Sequence, residues 1–257
     1  MTNALVCIKR VPDLGGEIPL TADGMSVDDT SLGHTVSPHE ECAVELAIQV
    51  AKDTDGQATV LTLGSSDAVE QLRHALALGC TGAVLVEADA ASYGPADVAA
   101  AIADVVKTHE AAGTTYDLVL LGNDASDTGD FQVGIRLSYL LDRPVVAGVS
   151  TLSVDGDTVV ARGDAPDGGT EIFEVPLPAV LTVMEGGIEP RYPSIPGRMK
   201  AKKVAIEEVA PSGTPAGPGR VGLKLPPVQP SQVEVLGEGP EAAGAVVDLL
   251  EKLGVVR

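Results

Sequence analysis

Aromatic side chains are nearly absent from this 257-residue sequence: there is no tryptophan, and two phenylalanines and four tyrosines make up 2% of it. Aliphatic residues must therefore fill the core, and the stacking platforms of many single-strand nucleic-acid binders have little to be built from. Basic residues are scarce too. Seventeen Lys and Arg stand against 37 Asp and Glu, a formal net charge of −20. So acidic a chain offers no broad cationic face to nucleic acid or to an anionic membrane surface. The three cysteines (Cys7, Cys42, Cys80) lie far apart without a CxxC pair, and the four histidines show no ligand spacing. That argues against a disulfide framework or a zinc site. No apolar run approaches the ~20 residues of a membrane span. Only five apolar residues precede Lys9 and Arg10, too few for a secretory leader. The expectation is a soluble cytoplasmic protein with no nucleic-acid partner and no membrane insertion.

What is present is an alternation. Short aliphatic runs at residues 4–8, 58–63, 83–86 and 118–121 read as buried strands. Between and after them, segments of helical period predict helices over 40–52, 67–78, 96–111 and 132–141. In the first of these, Ala43, Leu46, Ala47 and Val50 recur at three and four, marking one buried stripe. Unbroken strands separated by helices predict an α/β fold, a mostly parallel sheet with helices on both faces. From residue 145 the pattern changes to short runs at 145–149, 152–154, 158–161 and 171–175 with turn signals such as Asp155-Gly156-Asp157, a small antiparallel hairpin region. A last buried strand is expected at 179–184. Residues 186–203 read as a Pro/Gly-rich loop, 211–230 as an extended arm, and 241–253 as a short amphipathic helix.

Three segments could carry chemistry. Ser37-Pro38-His39-Glu40 has Ser at an N-cap, Pro at the first helical position and Glu at the third, the grammar of a helix start. Free N–H groups there suit a phosphate or ribose, although taken alone the segment reads first as an ordinary capped helix. The run from Leu121 to Gly134 leaves a buried strand, passes through small polar residues and enters a helix. Ligands of open α/β sheets lie at such strand ends. It has neither GK[ST] nor GxGxxG, and its Asp124, Asp127 and Asp130 would repel a triphosphate, which leaves a smaller nucleotide or a solvated loop. Finally, five of the 17 basic residues fall between Arg191 and Lys203, with no acid among them. Tyr192, Ile195 and Met199 lie there in a Pro-rich frame expected to hold the backbone extended, which reads as a docking device. No catalytic constellation emerges, and Cys7 reads as a small buried hydrophobe.

Taken together these segments resemble the β subunit of electron transfer flavoprotein. Cys7-Ile8-Lys9-Arg10-Val11-Pro12-Asp13 is similar to that family's opening strand and turn, and Ser37 through Glu45 to its Asn-Pro-x-x-Glu-x-Ala-Val-Glu segment. Asp117 through Gly122 with Gln132-Val133-Gly134 is similar to its nucleotide loop. The stretch from Leu177 to Lys203, with Glu189-Pro190-Arg191-Tyr192 and Met199-Lys200-Ala201-Lys202-Lys203, is the most specific match. The resemblance implies an adenine-nucleotide α-hydrolase-like, Rossmann-like domain over 1–207. It also implies an arm with a short helix over 208–257 that docks on an α subunit in a heterodimer. It implies an electron carrier, not an enzyme. FAD shared with the α subunit would pass electrons from flavoprotein dehydrogenases to a quinone oxidoreductase, with AMP, or alternatively a second FAD, held in this chain. Carried over by position, the nucleotide contacts are Cys7, Ser37, Pro38, His39, Glu40, Leu63, Gly122, Asn123, Asp124, Ala125, Ser126, Asp127, Thr128, Gly129, Asp130, Phe131, Gln132 and Val133. The partner contacts are Pro190, Arg191, Tyr192, Pro193, Ser194, Ile195, Pro196, Gly197, Arg198, Met199 and Lys200. Ser37 stands where Asn is usual, and Asp130 and Phe131 stand where Thr and a small residue are. A stand-alone adenine-nucleotide module of the same fold is the alternative.

Overall fold

The computed structural model describes residues 1–13, 15, 18–227 and 233–256. The part of the expected arm at 228–230 lies outside them. In chain order the elements are β1 (Ala4–Ile8), β2 (Val11–Pro12), β3 (His34–Thr35), α1 (Pro38–Asp53), β4 (Ala58–Gly64), α2 (Val69–Leu78), β5 (Gly82–Glu87), α3 (Pro95–Ala111), β6 (Leu118–Gly122), α4 (Val133–Leu141), β7 (Val145–Asp155), β8 (Thr158–Asp164), β9 (Thr170–Pro176), β10 (Ala179–Val183), α5 (Ile195–Ala201), β11 (Ile206–Val209) and α6 (Ala243–Lys252).

Every residue of β1 is buried, as a strand covered on both faces requires. Its side chains alternate: Ala4, Val6 and Ile8 pack with α1 and α2, whereas Leu5 and Cys7 pack with α3. The nine-stranded sheet has the order β11-β5-β4-β1-β6-β10-β7-β8-β9. Pairing is parallel from β11 through β7 and antiparallel for β7–β8 and β8–β9. The α/β architecture expected from the alternation is therefore present, with the antiparallel strands as one wing of the same sheet. The chain runs from β1 outward through β4 and β5, then crosses back over α3 to place β6 on the other side of β1. The strand order reverses between β1 and β6, the place where open α/β sheets carry a ligand crevice at the carboxyl ends of their strands.

Four differences from the sequence reading have local causes. The runs at 145–149 and 152–154 form one strand, β7, bent by a register shift between Val149 and Thr151. β11 was not expected, because Glu207 and Glu208 break its apolar run; it is a half-exposed edge strand beside β5. The 186–203 segment is not all loop: Ser194 caps α5 by accepting a hydrogen bond from Gly197 N at 3.1 Å, and Ile195 is its first residue rather than part of an extended frame. α2 steadies it. Arg73 donates from Nη1 to the carbonyls of Ala201 and Val204 at 2.5 and 2.6 Å, satisfying helix-end acceptors. Finally, part of the arm is tied down. Asp97 accepts hydrogen bonds from Ala216 N and Gly217 N at 2.9 and 3.0 Å, Ser212 bonds Asp104, and Leu223 N reaches Gly24 O at 2.7 Å. Accordingly the chain divides into a compact unit Met1–Leu223 and a second unit Lys224–Arg257, which contains α6.

Candidate nucleotide crevice and docking face

The start of α1 meets the end of β6 at the crevice. Pro38 opens the helix after Ser37, whose backbone is extended, and the Glu40 carboxylate turns back to accept from Ser37 N at 3.2 Å and Ser37 Oγ at 2.7 Å. Burial raises the Glu40 carboxyl to about 7, against the hydrogen bonds from Ser37 and the Lys9 main chain. Gly122 lies directly against this turn. A Cβ there would sit 2.6 Å from Glu40 Cγ and 3.1 Å from both Glu40 N and Asp124 O, so only glycine lets the two segments approach.

The loop after β6 is fixed mostly at its near end. Asn123 N donates to Val183 O at 2.8 Å, and its Oδ1 accepts from Thr182 Oγ1 at 2.6 Å. Thr182 Oγ1 in turn accepts from Gly148 N at 3.0 Å, and its methyl fills the space where a Gly134 side chain would go. The carbonyl of Asp124 accepts from Ser37 Oγ at 3.3 Å. Asp127 is held by Lys9, whose Nζ is 2.7 Å from Oδ2 and 2.8 Å from Oδ1. Thr128 N and Gly129 N both donate to Ala125 O in a local turn. Ser126, Thr128, Gly129, Asp130, Phe131 and Gln132 face solvent, and Val133 opens α4 half-buried. Phe131 adopts a left-handed backbone (φ 52°), a conformation that costs a residue with a side chain roughly 1–2 kcal/mol.

Cys7 of β1 and Leu63 of β4 are both buried, near the carboxyl ends of their strands. Burial, reinforced by the charge of Glu40, pushes the Cys7 thiol far up, so it is inert as a nucleophile. The sequence-selected front segment and the Gly122 loop are thus brought together at one point. Two residues of this site were missed by sequence reasoning, Lys9 and Thr182. Each had a signal: a cation directly after a buried strand, and one hydroxyl inside the aliphatic run of β10. Three enclosed polar atoms of the framing segments lack a protein partner: Arg10 Nε, His39 Nδ1 and Asp124 Oδ1. No group of His, Cys, Asp and Glu among the described residues is placed to hold a metal ion.

The basic segment divides its labour. Arg191 turns inward: its Nε and Nη2 donate to the two oxygens of buried Glu45 at 2.7 and 2.6 Å, and its main-chain N adds a third bond at 3.3 Å. Burial disfavours the Glu45 charge, but the bonds from Arg191 and Gln49 outweigh it and hold its carboxyl below the ordinary value. Gly197 packs on the end of α2, where a Cβ would stand 2.3 Å from Ala77 O. Pro190 and Pro193 are half-buried, and Ser194 caps α5. What remains outward is apolar and basic. Tyr192 is 91% exposed and Ile195 80%, and Met199 lies one helical turn beyond Ile195 with Pro196, Arg198 and Lys200 around it. No helix among the described residues is long and apolar enough to cross a membrane.

Comparison with known proteins bears directly on this geometry. The family model of the electron transfer flavoprotein domain matches residues 24–213, from before the Ser37 helix start to beyond β11. The Bacillus subtilis protein named electron transfer flavoprotein subunit beta is 35% identical over 209 residues, covering 80% of this chain and 78% of its own. Its namesake from Syntrophomonas wolfei is 33% identical over 237 residues, 92% of this chain and 90% of its own. The mouse protein of that name is 34% identical over 258 residues, 98% and 94% of the two chains. The motifs that carried the resemblance are those that build the crevice and the docking face, and the chain belongs to the electron transfer flavoprotein family, as one of its β subunits.

Proposed function

We propose that this chain is the β half of a cytoplasmic heterodimer, in which an α subunit and this chain together hold FAD, and that the crevice between β1 and β6 holds AMP. When bound, the flavin supplies the electron-accepting and electron-donating centre; this chain contributes shape, orientation and a partner-facing surface. Electrons would enter from flavoprotein dehydrogenases and leave to a quinone oxidoreductase. In this reading the chain catalyses no reaction of its own.

The observation that carries the nucleotide assignment is the convergence of the α1 start and the Gly122 loop at the strand-order reversal. The positive end of the α1 dipole, at Pro38 and His39, suits a single phosphate. The exposed Tyr192, Ile195 and Met199, with Arg198 and Lys200 on the same short segment, support dehydrogenase docking by α5, with Arg191 bracing the segment from within. Extent of the match over most of the chain, including the docking segment, favours this over a stand-alone nucleotide module.

The test is mass spectrometry of the denatured complex purified with its α subunit. One FAD and one AMP per heterodimer are expected. A second FAD in place of AMP would reassign the occupant, and FAD with no other nucleotide would refute the crevice assignment.

A further inference from the structure

We propose that Lys9 is the positioning residue of the nucleotide loop: its ammonium, seated on Asp127, fixes residues 125–132 over the carboxyl ends of β1 and β6. The inference rests on the reading of that loop as nucleotide-binding. Lys9 follows the last residue of β1 and works at both ends. Its main-chain N–H serves the Glu40 carboxylate at the start of α1, and its Nζ reaches both oxygens of Asp127 at 2.7 and 2.8 Å. One residue thus joins the strand end, the helix start and the loop.

Position along the loop makes this contact the decisive one. Asn123 and Asp124 are anchored to Val183, Thr182 and Ser37. Asp127 is the last residue before α4 with a long-range partner among the described residues. Beyond it, Thr128 and Gly129 bond only to Ala125 O, and Gln132 bonds Arg136 within the next turn. Without the ion pair, residues 125–132 would hang between Asp124 and Val133, and a flexible loop must be ordered each time a ligand binds. The pair is half-buried, with Lys9 32% and Asp127 19% exposed, so water screens it less than a surface pair. The charge matters as well. The loop carries Asp124, Asp127 and Asp130 and no cation of its own, and Lys9 neutralises the middle one, Asp127, lessening a repulsion that a phosphate would otherwise meet.

The experiment uses the full chain and two readouts, amide hydrogen exchange without nucleotide and calorimetric titration with AMP. Lys9→Met and Asp127→Asn should each speed exchange at Thr128 and Gly129 and weaken AMP binding roughly tenfold, the scale of one charge-assisted hydrogen bond. The double variant should be no worse than either single one, Lys9→Arg should retain most of the affinity, and the swap Lys9→Asp with Asp127→Lys should restore loop protection. Exchange in β1 and β6 should stay unchanged, which separates loop positioning from loss of fold. Should Lys9→Met fail to fold, Asp127→Asn and the swap still decide. Unchanged exchange at Thr128 and Gly129, or effects of the two single variants that simply add, would overturn the proposal. Loop exchange that responds as expected in a chain that binds no AMP would uphold the role of Lys9 while refuting the nucleotide reading.

Discussion

Arg191→Ala distinguishes a brace from a docking contact. The sequence places Arg191 among the partner contacts, yet its guanidinium makes a two-pronged bond to Glu45, a carboxylate buried on α1. Removing it leaves Glu45 with Gln49 Nε2 at 2.9 Å as its remaining side-chain donor. Breaking a fully buried pair from one side costs about 3–5 kcal/mol. Arg191 itself is 38% exposed, and water can reach the vacated site, so a loss of about 2–3 kcal/mol is expected. Urea unfolding should show it as a lower midpoint at unchanged slope. The pH dependence gives a second handle. In the native chain the Glu45 carboxyl is held below its ordinary value, so its stabilisation is complete above the unfolded carboxyl value and fades as pH falls through the folded one. In the variant only Gln49 and the main-chain N–H of residue 191 still oppose burial, so the carboxyl rises and stability falls as pH rises. Both effects make the gap between the two proteins widen from pH 3 to pH 7. A gap of the same size at both pH values, or no gap at pH 7, would refute the bracing role.

Ile195→Ala should leave the melting temperature unchanged, since the side chain is 80% exposed, while weakening dehydrogenase binding by roughly ten- to a hundredfold, the worth of one buried aliphatic side chain; a variant that melts early but transfers electrons at the normal rate would show that Ile195 is structural. Glu40→Gln tests the buried carboxyl: because burial raises it to about 7, folding favours its protonated form and native stability should decline between pH 4.5 and 7, a decline the variant should lose. Identical pH profiles for the two proteins would mean that Glu40 is ionised and compensated in the fold. Truncation after Leu223 removes the unit bearing α6, whose Val246, Val247, Leu249 and Leu253 are exposed; the first unit should unfold as before but lose retention of the α subunit, and a truncated chain that still co-purifies with it in equal amount would overturn that role.

Much of this molecule is legible in its order of residues. β1 and the helix start at Ser37 are readable because their causes are local: an aliphatic run, and a Ser-Pro-x-Glu cap whose partners lie three residues apart. The mostly parallel sheet follows from the alternation itself, since a helix carries the chain back along the sheet and the strand after it then runs in the direction of the one before. Even the two halves of the candidate site were recognisable as segments. Their meeting was not. It depends on where the chain reverses its strand order, which is set by how the whole sheet packs rather than by any local pattern. The same holds for the contacts that give particular residues their roles. Lys9 and Asp127 are 118 positions apart, and Glu45 and Arg191 are 146, so no periodicity links them. The tertiary structure alone turned Arg191 from an outward cation into an inward brace and made Thr182 the peg between β10 and the Gly122 loop. It also folded α5 out of a proline-rich stretch, because Arg73 on a neighbouring helix supplies the donors that a seven-residue helix cannot find within itself.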